Sequence, residues 1–311
     1  MINKINKFST LENIIKETPE YFFKKYYKDD LKDYNFKNCG GLRTKGKFKK
    51  TSINKPLITI ITVCYNSETF LEKTIKSVLA QKYNNIEYII IDGDSNDATV
   101  SIIKKYEEYI DFWVSEKDDG IYDAINKGIL LSSGSIIGIL NSNDIYTEDA
   151  LILVKNYFTK NEIDVLFGTV KKDRILSGFN KNKIFWKFNI YPAHSSGFFI
   201  TQNAQMLSGL YDLKFKLHSD YDLIFRIIDK LKLKGVATKR DELIGIFNTE
   251  GISSKESSID YFIEEFKIKK KNNQNIFFLI FLFANKVIYH HLCKIYFIKK
   301  IFYSLRKKIN F

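Results

Sequence analysis

The sequence has few cysteines, no Gly-rich phosphate loop and no long apolar run, and each absence excludes a class of protein. Cys39, Cys64 and Cys293 are scattered through 311 residues. An odd number without metal-type spacing is not a disulfide framework, and it fits a reducing compartment. No G-x-G-x-x-G follows the first apolar run and no G-x-x-x-x-G-K-[ST] occurs, which counts against a dehydrogenase or a P-loop NTPase. The N-terminal "MINKINKFST" lacks the apolar core of a secretion signal. The most apolar stretch, "IFFLIFLFA" (Ile276–Ala284), is nine residues long, whereas a bilayer span takes roughly 20.

Acidic residues are missing from the C-terminal region. Residues 266–311 hold 11 Lys/Arg and no Asp/Glu, leaving 38 basic and 36 acidic residues elsewhere. The net charge of +13 therefore belongs to a tail on a nearly neutral body. Such a body does not grip nucleic acid, which needs clustered cations against phosphates. The tail interleaves its cations with Ile, Tyr and Phe. One reading is a segment lying in an anionic membrane interface; the other is a docked helical pair with a solvated basic face.

What is present is an alternation of strand and helix patterns. Residues 1–55 read as a polar, partly helical extension ending in the loop "CGGLRTKGKFKK", and Pro56 marks a break. "LITIITVCYN" is too apolar for a half-exposed strand and predicts a buried parallel one. Helical spacing follows over Glu68–Gln81, then the strand "IEYIIID", a helix over Asp97–Tyr109, the strand "DFWVSE", a helix over Ile121–Leu131 and the strand "SIIGIL". This order predicts an α/β fold, a mostly parallel sheet with right-handed crossovers and flanking helices. Further on, Glu148–Phe158 and Tyr221–Leu231 read as helices. "IDVLFGTVKK" and "GFFI" read as strands, and "KGVATKRDELIGIFN" as one or two more. The expected division is an extension (1–55), a main domain (56–255) and a helical basic tail (256–311). No internal repeat is visible.

In open α/β sheets the ligand sits beyond the carboxyl ends of the strands. Those ends here carry Tyr65-Asn66, then Asp92-Gly93-Asp94-Ser95, then Glu116–Asp119, then Asn141–Asp144. An aromatic such as Tyr65 can stack on a base, and Asp92 can accept hydrogen bonds from a base edge or ribose. A divalent metal near Asp144 would neutralise a diphosphate. Strand-end Asp and Asn also serve as helix caps and turn formers, so the plainer reading of "DGDSND" is an N-cap with a turn.

The segments "ITIITVCYNSETFLEKTIKSVLAQKYNNIEYIIIDGDSNDATVSIIKKY", "WVSEKDDGIYDAINKGI" and "LNSNDIY" resemble the family 2 glycosyltransferases of GT-A fold, most closely the bacterial members that build O-antigen, capsule and lipooligosaccharide chains. The resemblance spans roughly residues 56–250. It implies inverting transfer from a nucleotide-diphosphate sugar, usually with Mg²⁺ or Mn²⁺, to a lipid-linked glycan acceptor, by a protein peripheral on the inner face of the cytoplasmic membrane. Tyr65, Asn66, Asp92 and Asp94 match nucleotide-contacting positions, and Asp118, Tyr122, Asp123 and Asn126 the segment lining the donor pocket. "LNSND" stands where the family has an Asp-x-Asp metal motif, with Asn141 and Asn143 in place of both acids and Asp144 as the metal contact. "HSDYDLIFRI" resembles the acceptor-side motif, which makes Asp220 the general base, with Asp222 and Arg226 on the same helix. An inverting transfer needs such a carboxylate to deprotonate the acceptor hydroxyl. The alternative for Asp220 is the N-cap of a helix starting at Tyr221. His194 in "YPAHSSGFF" is placed near the diphosphate or acceptor, and "GISS" (251–254) resembles a loop that closes over the donor. Competing readings are a sugar-nucleotide nucleotidyltransferase and a non-catalytic paralogue impaired in metal binding.

Overall fold

The computed structural model describes residues 38–186, 190–193, 195–248 and 258–292. The chain enters it at a two-residue strand, β1 (Cys39–Gly40), and a 3-10 turn over Leu42–Lys45. Two seven-residue strands follow, β2 (Ile58–Cys64) and β3 (Ile86–Asp92), buried throughout except at Ile86. With β4 (Phe112–Ser115) and β5 (Ile136–Ile139) they form the parallel part of the sheet.

Strands apolar on both faces need cover on both faces, and successive side chains divide between them. Ile61 and Val63 of β2 pack with Ala124, Ile125 and Ile129 of helix α3 (Ile121–Leu131). Ile58, Ile60 and Cys64 pack on the other side, with α1 (Leu71–Leu79) and α2 (Thr99–Lys105). α3 lies close on the sheet because residue 128 is glycine: a Cβ there would come within 2.3 Å of Ile61 Cγ2.

The remaining elements are β6 (Ile145–Tyr146), α4 (Ala150–Lys160), β7 (Val165–Phe167), β8 (Thr169–Lys171), β9 (Ile175–Leu176), β10 (Phe198–Thr201), α5 (Gln202–Ser208), α6 (Ser219–Phe225), β11 (Gly235–Ala237) and β12 (Leu243–Ile246). The main sheet runs β1-β4-β3-β2-β5-β10-β7-β11, and a second sheet runs β6-β12-β8-β9. β5 pairs with β2 and not with β4, so the winding reverses between β2 and β5. That reversal is where ligands of such sheets bind.

Two local expectations change. "IDVLFGTVKK" is two strands and not one: the chain leaves the main sheet after β7 and enters the second as β8, turning at Gly168, whose N–H meets the Gly197 carbonyl at 2.6 Å. "CGGLRTKGKFKK" is more than a loop, because β1 pairs antiparallel with β4. Its cations also anchor the sheet: Arg43 ion-pairs with buried Glu87, and Lys49 with buried Asp111 at 2.7 Å. The sheet is mixed, since β10 runs antiparallel to both β5 and β7. The extension before residue 38 lies outside the described residues.

After β12, two helices form a hairpin, α7 (Ser258–Lys271) and α8 (Ile276–Leu292). Ile268 and Leu279 are buried, so one face of the pair packs inward. No described helix is long and apolar enough to cross a membrane.

Gly128→Val places methyl groups where buried Ile61 already lies, and should cost about 2–4 kcal/mol through overpacking and β-branching in a helix. Urea denaturation checks this: an unchanged midpoint would mean that α3 can move off the sheet.

Candidate active site

The parallel strands end level with one another, because Cys64 pairs with Asp92 and Asp92 with Ser115. Asp92 sits in the middle of that ledge and is 0 % exposed. Its Oδ2 accepts the Ser95 N–H at 2.9 Å and the Ser115 hydroxyl at 2.7 Å, and its Oδ1 accepts the Ser95 hydroxyl at 2.5 Å. Cys64 Sγ lies 3.5 Å from the same Oδ1. Asp92 is expected to take a base edge or ribose; in the structure three hydrogen bonds from Ser95 and Ser115 hold its carboxylate and shape the turn that follows.

That turn presents its neighbours outward. Asp94 is exposed, with a left-handed φ of 65°, which a short polar side chain tolerates better than a bulky one. Tyr65, at the end of β2, is 52 % exposed. Asn66, also left-handed (φ 46°), ties the two loops together: its N–H donates to Ser95 Oγ at 2.8 Å and its Oδ1 accepts the Asn96 N–H at 3.0 Å. Asp118 packs against Gly93, where a Cβ would come within 2.6 Å of Asp118 Oδ2. Burial pushes the Asp118 carboxyl up, against the pull of the Gly120 N–H that it accepts at 2.9 Å.

On α3 the expected donor-pocket residues separate. Asp123 accepts the Asp119 N–H at 3.1 Å and lies 3.6 Å from Lys127. Asn126 is buried, and its amide brackets Tyr211, donating to the carbonyl and accepting from the N–H, both at 2.9 Å. Tyr122 reaches further. Its hydroxyl lies 3.1 Å from Asp220 Oδ1 and 3.2 Å from the Leu217 carbonyl, and its ring stacks on Tyr211 at 5.5 Å. Tyr191, which no sequence signal pointed to, donates to Asp220 Oδ2 at 3.2 Å. Burial, then the Asp220 carboxylate, hold both phenols well above their usual range, so both stay protonated as donors.

Asp220 is the second residue of α6, which begins at Ser219 with His218 at the N-cap, so it is not the cap itself. Asp222 and Arg226, expected at the acceptor or the diphosphate, already have partners within the protein. Asp222 is fully buried between Arg226 at 3.1 Å and Lys271 at 3.0 Å. The Arg226 guanidinium also donates to the Ser208 and Leu210 carbonyls. The two residues therefore fasten α6 to the end of α5 and to α7.

In "LNSND", Asp144 is 2 % exposed. Its Oδ2 accepts the Ser195 hydroxyl at 2.6 Å and its Oδ1 the Asn248 N–H at 3.2 Å. Burial raises its carboxyl to about 6 in spite of these bonds. Asn143 Oδ1 accepts Asn248 Nδ2 at 2.9 Å. Asn141 donates its N–H to Ser195 Oγ at 3.0 Å, while its own Oδ1 is buried without a partner. Among the described residues no three His, Cys, Asp or Glu side chains gather as a metal cage. The Asp144 carboxylate and the unpartnered Asn141 Oδ1 are oxygens of the kind a hard ion takes, its other ligands coming from phosphate and water. They do not make a closed cage. A cavity of about 360 Å³ opens beside Asn143, lined also by Phe70, Lys73, Lys172, Phe247 and Asn248; Asp220 does not line it. His194 and residues 251–254 lie outside the described residues. Ser195 and Asn248, missed in the sequence, are the ones that hold Asp144.

A family model described as "Glycosyl transferase family 2" matches residues 59–215. An uncharacterized glycosyltransferase of Mycobacterium tuberculosis is 33 % identical over 181 residues, covering 55 % of this chain and 68 % of its own. The Escherichia coli UDP-Glc:alpha-D-GlcNAc-diphosphoundecaprenol beta-1,3-glucosyltransferase WfgD is 31 % identical over 133 residues, 42 % of this chain and 50 % of its own. Among solved structures, S. aureus TarS 1–349 in complex with UDP-GlcNAc superposes with a TM-score of 0.58 at 15 % identity, over 74 % of this chain and 71 % of that one. The mannosyltransferase PcManGT of Pyrobaculum calidifontis, in complex with GDP-Man and Mn²⁺, gives 0.54 at 14 % identity, over 86 % and 77 %. At these identities the structures show a shared GT-A fold.

Asp92 and Asp94 stand two residues apart and should respond oppositely. Asp92→Ala leaves buried donors unpaired and should cost about 2–4 kcal/mol of stability, whereas Asp94→Ala should stay within about 0.5 kcal/mol; chemical denaturation of both measures the contrast. Asp144 makes a pH prediction. Its folded carboxyl is raised, so the folded state favours the neutral form, and the cost of ionising it is absent below the unfolded value and complete above the folded one. With chelator present, the stability of the wild type relative to Asp144→Asn should fall as pH rises from about 4 to 6, then level off. A difference flat across that window would contradict the assignment.

Proposed function

The chain belongs to glycosyl transferase family 2, and on that premise we propose that it transfers a sugar with inversion from a nucleotide-diphosphate donor to a hydroxyl of a growing surface glycan, with Asp220 as general base. One observation carries this reading. Tyr122, from "SEKDDGIYDAINKGI", and Asp220, from "HSDYDLIFRI", are 98 residues apart in sequence, yet they meet at 3.1 Å. The two resembling segments therefore converge on one carboxylate.

The roles follow from what each group presents. Tyr65 offers an exposed ring for a base, and Asp94 a solvent-facing carboxylate for ribose hydroxyls. Asp92 and Asn66 set the turn that carries them. Asp220 takes the proton of the acceptor hydroxyl as that oxygen attacks the anomeric carbon and the nucleotide diphosphate departs from the opposite face. Tyr122 and Tyr191 hold its two oxygens in place. Asp144 and Asn141 would hold a Mg²⁺ or Mn²⁺ ion, which when bound neutralises charge on the leaving diphosphate.

The name of WfgD supports a lipid-linked acceptor, and the TarS complex a UDP-sugar donor. Both lead to work at the inner face of the cytoplasmic membrane. Family membership removes the nucleotidyltransferase alternative. The burial of Asp144 keeps one second reading, a donor-binding paralogue without turnover.

A thermal-shift screen over UDP-, GDP-, CMP- and dTDP-sugars identifies the donor. With that donor, Asp220→Asn should lower transfer by about 10²–10⁴-fold while leaving the donor-induced shift intact. Retained turnover would remove Asp220 as the base, and a wild type that binds donor without transfer or hydrolysis would favour the non-catalytic reading.

A further inference from the structure

α8 has apolar residues on all sides, which in a globular protein marks a helix covered on all sides. Among the described residues only one side is covered. Leu279 is buried, Phe278 meets Trp186 edge-on at 5.1 Å, and Phe283 meets Phe266 of α7 at 5.9 Å. Phe277 (78 % exposed), Ile280, Phe281 (60 %) and Ile288 face outward. Their spacing of i, i+3, i+4 and i+11 places them on one stripe. Trp186, itself largely exposed, lies at its edge. Asn275 caps the helix by accepting the N–H groups of Phe277 and Phe278 at 2.9 and 3.2 Å, so the stripe is presented by a formed helix.

The composition of the segment that carries this face argues for what covers it. The 46 residues that begin at Phe266 hold 11 cations and no acid. A second copy of the chain would bring the same cations against themselves, whereas an anionic lipid surface neutralises them at about 1 kcal/mol for each cation near the surface. At 17 residues, α8 suits lying in the interface and not crossing it. An indole at the edge of an apolar face is also suited to the headgroup level.

We propose that the outer stripe of α8, with Trp186, docks in the interface of an anionic lipid bilayer. The hairpin carries the acceptor side of the site with it. Glu264 of α7 accepts the N–H groups of Lys216, Leu217 and His218, the approach to α6, at 2.7, 2.9 and 3.0 Å. Lys271 pairs with Asp222 of α6 and with Asp212. Docking the stripe thus holds Asp220 near the bilayer surface, where a lipid-linked acceptor arrives. That last consequence rests on the proposed function; the docking does not.

The test uses the full chain and vesicles of phosphatidylcholine alone or mixed with phosphatidylglycerol. The wild type should cosediment with the anionic vesicles and much less with the neutral ones. Phe277→Ser/Phe281→Ser should lower the bound fraction at least about tenfold at an unchanged melting temperature. Brominated lipid should quench Trp186; the other tryptophan, Trp113, is buried and unaffected. No binding to anionic vesicles, undiminished binding by the double variant, or unquenched Trp186 emission would overturn the proposal. So would a wild-type dimer in light scattering that the double variant splits, since a second copy would then cover the stripe. Vesicle binding needs neither donor nor acceptor, so a chain that transfers sugar but ignores vesicles contradicts the docking alone. One that binds vesicles without transfer contradicts the proposed function alone.

Discussion

One buried carboxylate organises the donor side of this molecule. Three parallel strands ending in register make a flat ledge of Cys64, Asp92 and Ser115. A charge at its centre is tolerable only if the protein supplies its hydrogen bonds. It does so by folding the next three residues back, so that Ser95 reaches Asp92 with both its N–H and its hydroxyl. The rest of that side follows from this closure. Asp94 is left in a left-handed conformation facing solvent. Ser95 is also where Asn66 attaches the first strand's loop. Gly93 is bare enough for Asp118 to pack on it.

The acceptor side depends on hydrogen bonds between side chains far apart in sequence. Two protonated phenols hold the Asp220 carboxylate, Tyr122 from the parallel half and Tyr191 from the segment between the sheets. Donors at both oxygens fix its direction, which suits the role proposed for it. α6 cannot drift from this position. Arg226 ties it to the end of α5, while Lys271 and Glu264 tie it and its approach to α7. The tail is thus mechanically continuous with the site.

The parallel strands and the Ile121–Leu131 helix were legible because long apolar runs and 3.6-residue spacing leave few alternatives. The break at Gly168 was hidden, since an apolar run reads the same whether it stays in one sheet or changes sheets. At the site, the residue types were legible and their division of labour was not. Asp92 and Asp94 look alike in "DGDSND"; strand register decides that the first turns inward and the second outward. Asn126, Asp222 and Arg226 lie within site-like phrases, yet long-range partners such as Tyr211 and Lys271 engage their polar groups. Tyr191, Ser195 and Asn248 carried no local signal at all. Their importance comes from partners 29 to 104 residues away.

The central claim is a single displacement with one carboxylate acting on the acceptor. The most direct measurement is the anomeric configuration of the product, read by proton NMR, made from whichever nucleotide sugar the chain accepts. The account predicts a linkage inverted relative to the donor from the first turnover onward. A product with the donor's configuration retained would require a different reaction course and would contradict the role given to Asp220.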